Sequence, residues 1–178
     1  MCCLNYCCLF YICIIKMCIF FHASNIAFQI NEKFSIDMFD GDCTFDHQNR
    51  PEEERNVNDI LDRSRPPEVP LSRKKCIYLF ENLQHCKEYA VKGNLKHIYE
   101  VRCDVFYGPF PMVLVKKCWG DMDNESIRTE YWQPKHKWKE MEFITPAFVV
   151  INEIPFERIK PMMADYTDDI VRARKLFG

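Results

Sequence analysis

The chain has 178 residues, 48% of them hydrophobic and 14% aromatic, with 24 basic against 26 acidic side chains and a net charge of −2. That is the composition of one globular domain with at most a short extension, and it excludes a disordered or collagen-like chain. The balanced charge leaves no broad basic field for nucleic acid. Five glycines and no GxGxxG or GxxxxGK[ST] exclude the P-loop and dinucleotide fingerprints.

Residues 1–21 are almost wholly apolar and carry six of the eleven cysteines (Cys2, Cys3, Cys7, Cys8, Cys13, Cys18). One reading is a secretory signal or membrane anchor, although the leading residues are neutral and Lys16 interrupts the apolar run. His22-Ala23-Ser24 would then be a poor cleavage site. The other reading is an extension over 1–16 followed by a buried strand over 17–22, which opens a single domain over 17–178. Any contact with a membrane would come through residues 1–21 alone.

Residues 23–50 mix apolar positions with turn residues and predict strand fragments and a loop. Glu52–Ser64 follows Arg50-Pro51, is acidic in its first turn, and sets Val57, Ile60 and Leu61 at helical spacing. Arg65-Pro66-Pro67-Glu68-Val69-Pro70 breaks that helix. Cys76–Phe80 reads as a buried strand. Asn82–Lys92 reads as a helix with Leu83, Cys86, Tyr89 and Ala90 inward, closed by Gly93. His97–Asp104 alternates Ile98, Tyr99, Val101 and Cys103 with polar residues and predicts a strand. Residues 105–121 hold Gly108-Pro109, Pro111 and an apolar run. Asn124 caps a short helix to Trp132. Phe143–Ile154 is the most β-like run, with Glu153 as an edge charge, and Asp165–Phe177 closes as an amphipathic helix. Strands alternating with short helices predict an α+β fold.

The remaining cysteines (Cys43, Cys76, Cys86, Cys103, Cys118) form no C-x-x-C pair and read as small buried hydrophobes in a reducing compartment. His47, His85, His97 and His136 lack short ligand spacing, so no metal is expected. The compartment expected on this basis is the cytoplasm, with secretion or membrane anchoring as the alternative if the apolar start is a leader.

Six short pieces stand in this order: Phe20-Phe21-His22, Pro70-Leu71-Ser72-Arg73, Tyr78-Leu79, Ile98-Tyr99-Glu100-Val101, Tyr131-Trp132 and Glu140-Met141-Glu142-Phe143. Over roughly residues 19–154 this order resembles a bacterial family of uncharacterised proteins allied to the rifampicin ADP-ribosyltransferases. The resemblance implies a split, strongly bent β-sheet with flanking short helices. It also implies NAD as substrate and transfer of ADP-ribose to an acceptor, be it protein, nucleic acid or small molecule, in the manner of a toxin-like modifier.

Such a reaction passes through a ribose cation. A histidine can bond the ribose hydroxyls, a tyrosine can stack on nicotinamide, and a carboxylate can stabilise the growing charge. The matching positions are His22, Tyr78 and Glu142, which the resemblance brings together in one cleft. Glu140 shares the face of Glu142 if the strand begins there, a spacing that resembles the paired glutamates of arginine-directed transferases. Arg73 is the implied pyrophosphate contact through its fork of donors. The family pattern departs in two places. Asp104 is the nearest match to an aspartate that the rifampicin-directed enzymes place after the Ile-Tyr-x-Val strand, and Ala23-Ser24 stands where they have glycine. Against the transferase stand two other readings: a catalytically inactive domain of the same fold that binds a nucleotide or protein, and a secreted or anchored domain of unrelated fold.

Overall fold

The computed structural model describes residues 18–38, 52–121, 124–155 and 167–177. The expectations for residues 1–16 and for Cys43 and His47 lie outside them. Among the described residues, seven strands and five α-helices make an α+β domain: β1 (Cys18–Ser24), β2 (Lys33–Ser35), α1 (Glu52–Arg63), β3 (Ile77–Leu79), α2 (Leu83–Lys92), β4 (His97–Cys103), β5 (Tyr107–Pro111), α3 (Met112–Gly120), α4 (Glu125–Trp132), β6 (Met141–Thr145), β7 (Ala147–Ile154) and α5 (Thr167–Phe177).

The strands form two antiparallel sheets, one in the order β1-β4-β7-β2 and the other β3-β6-β5. A single bridge links β1 to the second sheet. The Phe21 N–H donates to the Phe80 carbonyl at 2.8 Å and the Phe80 N–H returns the bond at 2.9 Å. The run expected as one strand over 143–154 is two strands, parted at Pro146. Proline has no N–H to give a ladder, and the Thr145 hydroxyl takes up the slack by donating to the carbonyls of Val105 and Ala147. One stretch of chain therefore crosses from the second sheet into the first.

Local chemistry explains most boundaries. The Asn82 side chain accepts from the N–H groups of Gln84 and His85 and starts α2. Gly93 ends it with φ −83, and the left-handed residue is its neighbour Asn94, with φ 52. Asparagine tolerates that region better than other residues with a side chain. Asn124 caps α4 through the Ile127 N–H. Val57, Ile60 and Leu61 of α1 are buried, as are Ile98, Tyr99, Val101 and Cys103 of β4. Residues 105–121 hold β5 and α3, which the sequence reading leaves unassigned. Pro111 sits at the N-cap of α3, where its missing N–H costs the helix nothing.

The main core gathers Phe20, Phe28, Phe34 and Phe148 with Phe110, Tyr131, Trp132 and Phe143, and a smaller one packs Phe80, Cys86, Ala90 and Ile98 under α2. Cys76, Cys86, Cys103 and Cys118 are buried thiols. No helix among the described residues is long and apolar enough to cross a membrane.

Candidate functional site

Arg73 follows α1 in a turn tied down by Asp62. One Asp62 oxygen accepts from the Arg73 N–H at 3.0 Å and the other from the Ser72 hydroxyl at 2.5 Å. This turn sends the Arg73 side chain inward while Lys74 stays near the surface, 2.6 Å from Asp59. The Arg73 side chain is 2% exposed. Its Nε donates to Asn58 Oδ1 at 2.8 Å, and its Nη1 donates both to the Tyr131 hydroxyl and to Glu142 Oε1. The Tyr131 hydroxyl in turn donates to the same Glu142 oxygen at 2.7 Å. The Tyr78 hydroxyl donates to the Arg73 carbonyl at 2.8 Å, and the guanidinium lies 5.0 Å from the Tyr78 ring centre and 4.9 Å from that of Tyr131.

Five elements thus contribute to one buried ion pair. Burial alone would lower the pKa of Arg73, but the Glu142 carboxylate, then Tyr131 and Tyr78, hold it well above its ordinary value. Burial pushes the Tyr131 phenol well up, against the pull of Arg73. Both directions keep the guanidinium charged and the phenol neutral beside the Glu142 carboxylate. Four of the six sequence pieces meet here, through Arg73, Tyr78, Tyr131 and Glu142. Asn58, Asp62 and Tyr131 were missed as members. Tyr131 stands in a quoted piece, but a carboxylate pair to an arginine 69 residues earlier leaves no local pattern.

His22 stands apart from the ion pair. Its Nδ1 lies 3.0 Å from the Tyr78 carbonyl oxygen, so the two residues touch through the Tyr78 backbone. Its ring packs on Phe148, with centres 5.0 Å apart, and on Phe28 at 6.3 Å. The register sets Tyr78 opposite Ile144, so Tyr78 and Glu142 share one face of β3–β6. Phe143 occupies the other face and packs on Phe20, which shares a face of β1 with His22. The structure therefore brings Arg73, Tyr78 and Glu142 together and sets the His22 ring on the far side of the second sheet.

Glu140 immediately precedes β6, which begins at Met141, and is buried like Glu142. Its backbone carbonyl accepts from the Met112 N–H at 3.1 Å. Burial raises its pKa, opposed by Lys92 and Lys116. Asp104 is exposed just beyond β4, and Glu153 is exposed with Oε1 2.9 Å from His97 Nδ1.

Another buried carboxylate, Glu130, lies near the end of α4. Glu130 Oε1 accepts from the N–H groups of Lys135 and His136 at 3.1 and 3.0 Å and from the Trp138 indole at 3.0 Å. Burial would raise its pKa, but these donors and the His136 ring outweigh that and lower it. The arrangement folds residues 133–138 back over the helix end. Among the described residues no group of three or more histidines, cysteines and carboxylates is arranged to hold a metal ion. Neither a known protein-family profile nor a curated protein matches the sequence.

Proposed function

We propose that this chain is a non-catalytic domain of the ADP-ribosyltransferase-like type, acting as a nucleotide- or protein-binding module. The observation that carries the reading is the setting of Glu142. A transferase needs this carboxylate beside the ribose, where charge develops. Here it is 2% exposed and paired with Arg73 and Tyr131. Turning it toward a ribose would leave the guanidinium buried without its anion, which is strongly unfavourable. Arg73 is likewise turned inward, away from any pyrophosphate.

The transferase itself is the second reading. The observation that favours it is the junction of the two sheets, where Phe21 bridges Phe80 and His22 reaches the Tyr78 carbonyl. In that reading the acceptor is unassigned, NAD is the donor, and the ion pair opens when the dinucleotide binds.

One experiment separates the two. The full chain is incubated with NAD labelled in its adenine, and released nicotinamide and labelled acceptors are followed beside calorimetry with NAD and ADP-ribose. The binding-module reading expects no nicotinamide above the buffer rate. Release that rises with protein concentration overturns it. A calorimetric signal with NAD or ADP-ribose selects the nucleotide as ligand, and its absence selects a protein partner.

A further inference from the structure

Two thiols face each other across the first pair of strands. Cys18 opens β1 and is in register with Cys103, the last residue of β4, and the pairing runs without a shift to Ser24 and His97. Residues directly opposite on antiparallel strands project from the same face of the sheet. Phe21 determines which kind of pair this is. Its N–H and carbonyl both bond Phe80, away from β4. The even-numbered residues of β1 therefore turn their backbone groups to β4, as the Ser24 carbonyl does in accepting from Lys96. Cys18 and Cys103 form a hydrogen-bonded pair, whose Cα atoms stand roughly 5.5 Å apart. A disulfide spans Cα separations of about 4.4–6.8 Å.

We propose that Cys18 and Cys103 are a redox modification site, closing into a reversible cross-strand disulfide when the protein meets a peroxide. Cys18 is partly exposed and Cys103 is 1% exposed, which sets the order of events. The Cys18 sulfur attacks hydrogen peroxide, the O–O bond breaks, and a sulfenic acid and one water result. The Cys103 sulfur then attacks the Cys18 sulfur. The S–S bond forms, the S–OH bond breaks, and hydroxide leaves with the Cys103 proton as a second water. Two thiols and one peroxide thus yield one disulfide and two waters. Burial pushes the Cys103 thiol up to about 12, so Cys103 is not the thiol that meets peroxide first.

The bond is made under tension. The Cβ atoms of a hydrogen-bonded pair lie about 5.5 Å apart, against the ~3.8 Å that a disulfide prefers. A strained, partly exposed disulfide is easily reduced, which is the behaviour of a switch and not of a permanent staple. No other described cysteine lies opposite a second one in a strand register.

Trypsin makes the test unambiguous. Cleavage isolates Cys18 in the peptide 17–33 and Cys103 in the peptide 103–116, each with no other cysteine. The full chain is treated with hydrogen peroxide, remaining thiols are alkylated, and the digest is weighed with and without dithiothreitol. The expected result is the linked mass of these two peptides, lost after reduction, absent in Cys18→Ser, and reduced several-fold when peroxide is added in urea. Cys18→Ser changes a partly exposed side chain, so the test does not depend on a core variant folding. Recovery of both peptides in alkylated form, Cys18 found only as sulfinic or sulfonic acid, or Cys103 linked to another cysteine overturns the proposal.

Discussion

Two buried regions of this domain carry the residues that the sequence marks for chemistry, and they solve burial in opposite ways. On one face of β3–β6, Arg73 and Glu142 bring full charges into the core and satisfy them with each other, Tyr131 and Asn58. Beside β1 and β7, His22 is set among rings: Phe28, Phe34, Phe148 and Tyr99 pack at centre distances of 4.7 to 5.4 Å. The Tyr99 hydroxyl closes that cluster by accepting from the Phe28 N–H at 3.0 Å. The first region is held by charge and hydrogen bonds whose partners cannot be exchanged singly. The second is held chiefly by apolar area. A perturbation of charge should therefore damage the first and hardly touch the second.

The largest expected effect tests the first half of that contrast. Glu142→Gln keeps the shape and an acceptor but leaves the Arg73 charge buried without an anion, and should lower stability by about 3–5 kcal/mol. Urea unfolding measures it. The double change Arg73→Met with Glu142→Leu should recover much of the loss, since it removes both charges together. Equal and additive losses from the two single changes would show that the pair is not coupled and would break the comparison.

A middling effect is expected in the aromatic region. His22→Phe preserves the ring but removes the bond to the Tyr78 carbonyl, at a cost of about 1–3 kcal/mol. The same denaturation series reads it, and the cost should not change with salt. A loss as great as that of Glu142→Gln would mean that His22 belongs with the charged region after all.

The smallest effect concerns pH and the Glu130 cluster. The folded state lowers the Glu130 pKa, so it binds that proton less readily than the unfolded chain. The stability this confers is present at neutral pH, above the ordinary carboxylate range, and is lost as pH falls through the lowered value. Glu140 has the opposite sign: its raised pKa makes its contribution more favourable as pH falls through that value. Glu130→Gln should flatten the acid limb of a melting-temperature profile, and Glu140→Gln should steepen it. Identical profiles for the two variants would contradict the assignment.

Much of the architecture was legible because it rests on local rules. The apolar spacing closed by Gly93, the capping asparagine at 124 and the alternation over 97–103 lead directly to α2, α4 and β4. The split at Pro146 was missed although the proline is visible, because the β-branched residues on either side read as one continuous run. Only the sheet order shows that its two halves have different neighbours. Arg73 is the sharper lesson. In Ser72-Arg73-Lys74-Lys75 it looks like one of three solvated charges, and nothing nearby separates it from Lys74. Its partners sit on a preceding helix, a later helix and a later strand, so its burial is a property of the folded chain alone.

The passage of one segment through both sheets has a kinetic consequence. Every ladder that β6 and β7 complete on β2, β3 and β4 reaches back to residues well before them, such as Ile77 for Thr145 and Ile98 for Ile154. Loops of that length must close before either sheet gains from its central strand, which slows the search for the native state. Until residues 141–154 arrive, β3 and β4 present open edges rich in apolar side chains. Such edges invite pairing between molecules, so the crowded interval before that arrival is when this chain is most exposed to aggregation.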